Sequence, residues 1–468
     1  MSKISFFRIL FALGVVLTSS CDSNESDYVM LVPEDGEQYG GGISTVVNAT
    51  EEAFGFSSTA LTVREQVDFG VGNSFFRQSW VSAPSSTTAR DGLGPFINAV
   101  SCSSCHFKDG RGRPPAFDGE FGEGLLLRLS ISGHQENGAA NVDPIYGNQL
   151  QDASILGETA KGSYRITYQT STETLADGTL ITLQKPIYTI ENLGYGSLAS
   201  GVLVSPRIAS QMIGLGLLEA VSDNTLLSFT DEYDSDNDGI SGRVNTVYDV
   251  ESNSQKIGRF GWKANQPNIK QQVAGAFSGD MGITSYIFPD QNCPSDVDCD
   301  NIPNGGSPEI TNENFDRVVL YSQSLAVPIR RDFEDQNVLN GKEIFSTMKC
   351  TSCHIPKMET SNDYYIAGFR NQTIRPYTDL LLHDMGEGLS DNAPDFQASG
   401  NEWRTPPLWG IGLINTVNKH TKLLHDGRAN NVTEAVLWHG GEAEQAKNEF
   451  KDLSTQDRED VLAFINSL

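Results

Sequence analysis

Cys102-Ser103-Ser104-Cys105-His106 and Cys350-Thr351-Ser352-Cys353-His354 are two copies of one pattern, Cys-x-x-Cys-His, far apart in the chain. Each copy sets two thiols one helical turn apart with an imidazole directly after them. Thiols so placed can add to the two vinyl groups of a haem, and a neutral imidazole can take the iron from one side. Two covalently bound haem c groups are therefore expected, held by Cys102, Cys105, Cys350 and Cys353, with His106 and His354 as iron ligands. The competing readings are a thiol redox pair and two zinc half-sites. Neither needs a histidine after both pairs, and the half-sites of one zinc centre would lie closer together in the chain.

Of the 7 cysteines, these motifs take four. Cys293 and Cys299 lie six apart in an acidic, proline-containing loop, where a local disulfide is expected. Cys21 remains. It ends a segment with Lys3 and Arg8, an apolar run from Ile9 to Leu17 and then Thr18-Ser19-Ser20, the layout of a secretory signal. Small residues ahead of a lone cysteine predict a lipidation site at Cys21 in residues 1–21. The alternative is an ordinary cleaved signal with an unpaired cysteine beside the cut. Either way the chain is expected to be exported, to the periplasm or the outer membrane, where c-type haems are attached and disulfides persist. No other stretch is long and apolar enough to span a bilayer, so membrane contact is expected through the N-terminal anchor alone.

A hydrophobic content of 38% is enough for two or three cores in a chain of this length. The formal net charge of −27 argues against nucleic acid and anionic lipid as partners. It is compatible with a basic redox partner protein, with bound calcium, or with solubility alone.

Residues 22–50 are polar and glycine-rich and read as a tether. Helical stretches are expected around Gly72 to Val81 and from Asn340 to Phe345, each leading into one motif. Two cytochrome c-like units follow, 51–325 and 326–468. Met212-Ile213-Gly214-Leu215-Gly216-Leu217 matches Leu408-Trp409-Gly410-Ile411-Gly412-Leu413 in the same order after each motif, which favours a duplication. Between these landmarks, Leu125 to Ile131, Tyr164 to Gln169 and Thr179 to Leu183 alternate or are rich in β-branched residues, with Asp177-Gly178 as a turn signal. Ser454 and Asp457 start a terminal helix whose apolar face holds Val461, Leu462, Phe464, Ile465 and Leu468. The expected fold is mainly α, two cytochrome c-like helical domains with a β-rich insertion in the N-terminal half. Asp234, Asp236 and Asp238 alternate ahead of Gly239 in the manner of a calcium loop, although Asn245 stands at the twelfth position.

The chain resembles the dihaem oxidoreductases of the peroxidase-like and "thiol oxidoreductase" type, relatives of the bacterial dihaem cytochrome c peroxidases. The resemblance runs from about Val67 to Leu468. It rests on 102–115 (CSSCHFKDGRGRPP), 205–220, 236–245, 258–264 (GRFGWKA), 377–389 (YTDLLLHDMGEGL), 402–413 (EWRTPPLWGIGL) and 424–443 (LLHDGRANNVTEAVLWHGGEA). In the peroxidase relatives a histidine in an aromatic-His-small-Gly turn is followed fourteen residues later by the methionine that completes the C-terminal haem. Here His425-Asp426-Gly427 is such a turn, and the position fourteen on is His439. The resemblance so implies a bis-histidine second haem of lower potential, with Met385 as the competing ligand and His425 near the haem rather than on it. The relatives react with peroxide at the N-terminal haem. For its far side His134, Met212 and Met281 are candidates, and no catalytic acid or base stands out. His420-Thr421-Lys422 replaces the Thr-x-Pro that in the relatives helps hold an interdomain calcium. Arg111, Arg113 and Arg404 are candidates for the haem propionates, His383 with Asp384 for the second haem's surroundings, and Trp262 for a relay between the haems. The implied activity is an oxidoreductase reducing a small oxidant. The alternative is an electron-transfer cytochrome without chemistry of its own, serving a membrane or metal-uptake partner.

Overall fold

The computed structural model describes residues 31–121 and 124–468, with residue 300 described in its backbone alone. The expected secretory segment and Cys21 lie outside the described residues.

Two helix pairs carry the architecture. The first joins α1 (Val63–Arg77) to α3 (Asn312–Ser324); the second joins α4 (Gln336–Thr347) to α5 (Thr455–Ser467). Between the two members of the first pair in sequence lies α2 (Ile269–Met281). Thr62 opens α1 with a reciprocal cap to Glu65, and Ser454 opens α5 by accepting from the Asp457 amide. Each pair crosses at a glycine. A Cβ on Gly72 would stand 2.1 Å from the Arg317 carbonyl of α3, and one on Gly341 would stand 1.9 Å from the Asp460 carbonyl of α5. Four residues beyond each glycine a phenylalanine turns towards the motif histidine. The Phe76 ring is 6.1 Å from that of His106, and the Phe345 ring is 6.1 Å from that of His354. These phenylalanines also meet the closing helix of their own pair, Phe76 at Tyr321 and Phe345 at Phe464.

The matched six-residue stretches obey the same repeat. Gly214 and Gly410 both adopt the left-handed conformation, with φ of 69° and 75°, and donate their amides to the carbonyls of Leu325 and Leu468, just past α3 and at the end of α5. They also face one another. The space a Cβ would take at Gly214 is filled by Trp409, and the space at Gly410 by Ile213. The halves are thus built to one plan and pressed together at the duplicated stretch.

The expectation of a mainly α protein of two cytochrome c-like domains is corrected: the described residues are 28% helical and 19% strand, with eleven helices and several small sheets. The physical reason is that long stretches between the framing helices are spent on turns and short strands. The chain holds 45 glycines, and its helices outside the framing set are mostly of one or two turns. β1 (Leu125–His134) pairs antiparallel with β4 (Leu203–Ile208) and buries Leu125, Leu127 and Leu129 in alternation. β2 (Ser163–Thr174) and β3 (Leu180–Glu191) form a hairpin paired along its full length. At its tip Asp177 accepts from the Thr179 amide and Gly178 has a φ of 84°.

The hairpin tip reaches across to the second half. Asp177 pairs with Arg458 and Glu173 with Lys451, while Leu175 and Leu183 are buried with Phe345, Phe450 and Phe464. The N-terminal stretch does the same. Residues 22–50 read as a tether, but Glu37 is buried between Arg330 and Lys342, and Thr45–Val46 forms a parallel pair with Val327–Pro328. A buried carboxylate is stable only with such counter-charges, so the described part of that stretch is held on the second half. Cys293 and Cys299 are disulfide-bonded, with Cα atoms 6.4 Å apart.

Candidate functional site

Each motif occupies a single helical turn. Cys102–Cys105 follows Ser101, Cys350–Ser352 is a 3-10 turn, and in both the histidine amide closes on the first cysteine's carbonyl at 2.9 Å. None of these four cysteines is disulfide-bonded. Burial pushes the Cys102 and Cys350 thiols up to about 12, with Asp280 adding to the first and Cys353 to the second.

Both motif histidines are oriented through Nδ1, which donates to a carbonyl: Ser210 at 2.7 Å for His106, and Tyr377 at 3.0 Å for His354. That fixes the tautomer and leaves Nε2 as the free base. Burial lowers the proton affinity of both rings, that of His354 to about 4. A neutral imidazole with a free Nε2 is what an iron ligand requires.

The first cavity, of about 180 Å³, opens beside Cys102, Cys105 and His106. Helix α2 forms one wall with Ile269, Gln272, Val273, Ala276 and Asp280, a single helical stripe. Met212 and Met281 line it; His134 is exposed and does not. Arg128, Arg207 and Asp280 also face it, none of which the sequence had singled out. Burial raises the proton affinity of Asp280, which accepts from Gln149 at 2.8 Å.

The second cavity, of about 200 Å³, gathers Cys350, Cys353 and four histidines, His354, His383, His425 and His439, together with Met385. His439 repeats the signature of the motif histidines: its Nδ1 bonds the Ala435 carbonyl at 2.7 Å, and its charge would depress that of His354. His383 is held between two carboxylates, Asp379 at 2.8 Å on Nε2 and Glu442 at 2.7 Å on Nδ1. With both nitrogens engaged it is spent as a buttress. Burial would lower its proton affinity, but Cys353 and Asp379 raise it well above the ordinary value. His425 is 3% exposed and stacks on Trp403 with ring centroids 3.7 Å apart, and its Nε2 has no hydrogen-bond partner. Asp379 and Glu442 were not anticipated. The only signal was their spacing, four before His383 and three after His439.

Trp262 and Arg404 line both cavities. The Trp262 indole donates to the Ile208 carbonyl at 2.8 Å, and Arg111 lies over its ring at 5.2 Å. Arg111 lines the second cavity, whereas Arg113 pairs with Glu120 away from both. Asp231, Asp234 and Asp236 bring their oxygens within 4.8 Å of one another, while Asp238 is outside this group and lines the second cavity. Asn245 is buried and holds the Lys263 and Asp395 carbonyls instead.

Two cavities of like size, each with two thiols, an oriented imidazole, an apolar lining and a buried arginine, fit two haems. The class so defined is a protein that carries redox cofactors in two repeated halves. The chain matches the family described as "Di-haem oxidoreductase, putative peroxidase" over residues 35–468. It belongs to that family, and its cofactors are haems. No curated protein and no solved structure matches the chain.

Proposed function

We propose that this oxidoreductase is an exported dihaem c-type protein that reduces a small oxidant, peroxide foremost, in the first cavity with electrons received through the second. The observation that carries the reading is the uneven distribution of histidine. Among the described residues the second cavity offers both His354 and His439 with free Nε2, whereas the first offers His106 alone. When bound, the haems supply one-electron chemistry and, where a coordination position is replaceable, a place for the oxidant. The rest falls to the chain. Cys102, Cys105, Cys350 and Cys353 anchor the groups; His106, His354 and His439 hold the iron; Arg111 and Arg404 supply buried positive charge for the propionates. Asp280 can hold a proton inside the first cavity, and Trp262 stands in the wall that an electron must cross.

Export rests on the segment ending at Cys21, and membrane contact through that residue is part of the same proposal. The charge of −27 favours a basic redox partner protein over nucleic acid. Calcium is proposed at the acidic loop on the strength of the three close carboxylates.

Mass analysis of the native protein tests the cofactor reading. The expected mass is the polypeptide plus two haems, with Cys105→Ala and Cys353→Ala each losing one. Zinc without haem absorbance would end it. Electron paramagnetic resonance of the oxidised protein tests the division of labour: one high-spin and one low-spin centre are expected. Two low-spin centres in every redox state, with Met212 or Met281 closing the first site, would favour electron transfer alone.

A further inference from the structure

The wall between the cavities contains a charge that, among the described residues, has no counter-ion. Arg404 is 8% exposed. Its Nε donates to the Gly261 carbonyl at 2.8 Å and its Nη1 to the Thr405 carbonyl at 3.1 Å, while its main-chain amide donates to the Trp262 carbonyl at 2.8 Å. Residue 404 is thus tied to the backbone of 261–262 twice, once through its side chain and once through its main-chain amide, and Trp262 is part of both linings. Among the described residues no carboxylate lies within ion-pair distance of it. The nearest influence is Asp379, which is already engaged with His383. Burial lowers its proton affinity to about 10, which leaves it charged at any ordinary pH.

A guanidinium buried without a counter-charge is costly, because the interior does not replace the water it gives up. Carbonyl dipoles offset part of that cost; a carboxylate held opposite the planar fork would offset far more. Among arginines that face one cavity only, Arg111 is likewise held by carbonyls, those of Lys422 and Leu424 beside the second cavity, without an ion pair among the described residues, whereas Arg207 has a carboxylate partner, Asp395, beside the first. Arg404 alone among the charged residues lines both.

We propose that Arg404 is a positioning residue common to the two haem sites, its single positive charge serving the carboxylates of both groups and setting both reduction potentials together. The proposal rests on the reading that each cavity holds a haem. A fixed cation in a poorly screened interior favours whichever iron state carries less positive charge, and at comparable distance from two sites it acts on both. Arg404 thereby couples the energetics of donor and acceptor sites that the chain separates by hundreds of residues.

The test uses the full-length holoprotein and a redox titration followed by absorption and paramagnetic resonance, after haem content has been counted. Arg404→Gln is expected to move both midpoints to more negative potentials. Arg404→Lys, which keeps the charge without the planar fork, should move both in the same direction by less. It carries the test alone if the glutamine protein does not fold. Arg111→Gln should move the second midpoint by more than the first. A change at one site only, or melting at lower temperature with both midpoints in place, would overturn the proposal. A wild-type protein with fewer than two haems would instead overturn the reading of the cavities, which the haem count reveals before any titration.

Discussion

At the scale of single residues, burial decides which groups stay neutral. Asp109 is 5% exposed, accepts from the Tyr321 hydroxyl at 2.5 Å, and has its carboxyl raised by burial to about 6. Above pH 6 the carboxyl is ionised in folded and unfolded chains alike, so the fold bears the full cost of a buried charge. As pH falls from 6 towards 4 the folded carboxyl takes up its proton first and the cost fades. Asp109→Asn keeps an acceptor for Tyr321 and tolerates the left-handed φ of 62°. It is expected to stabilise the protein by roughly 2 kcal/mol at pH 8 and by almost nothing near pH 4, as read from thermal melts across that range. A gain that grows on acidification would contradict the assignment. At the same scale, His439→Met should raise the potential of the second haem and bring a sulfur-to-iron band into the near infrared, since a thioether favours ferrous iron more than imidazole does. If the wild type shows that band and loses it on replacement of Met385, the ligand is Met385.

At the scale of elements, the two helix crossings are the weak points. Gly72 and Gly341 sit where a methyl group would run into the backbone of the partner helix, and a backbone cannot swing aside as a side chain can. Gly341→Ala is expected to push α4 from α5 at a cost of about 2 kcal/mol or more and to loosen Phe345 from His354. The C-terminal haem should then be lost or change its spectrum before the N-terminal one does. Gly72→Ala should give the reverse order. Equal loss of both haems from either variant would mean that the crossings do not belong to separate sites. Of the framing helices, α5 was legible from its Ser454 cap and apolar face and α4 from the stretch leading into the second motif, whereas α1 starts and ends earlier than expected and α3 was not anticipated. The strands were legible for β1 and for the hairpin, whose alternation and Asp177-Gly178 turn are local; pairs such as Thr45–Val46 with Val327–Pro328 join segments too short and too far apart to leave a pattern.

At the scale of the whole molecule, two equivalent halves hold unequal sites. His425 and His439 both enter the second cavity, and among the described residues no counterpart of either enters the first. Peroxide is therefore expected to alter the spectrum of the first haem alone. His354→Gly should stop turnover by interrupting electron supply while leaving that spectral response intact. A peroxide response confined to the second haem would reverse the division of labour. The anchoring groups were readable in the linear chain because haem attachment demands two thiols and an imidazole within one turn, a constraint that is local and chemically exclusive. The walls were not. Trp262 and Arg404 stand well over a hundred residues apart in sequence, and they came to line both cavities only because α1 with α3, α4 with α5, and Gly214 against Trp409 pack as they do. Covalent chemistry is written in neighbouring residues; which buried charge faces which cavity depends on contacts between distant ones, and these exist only once the chain has folded.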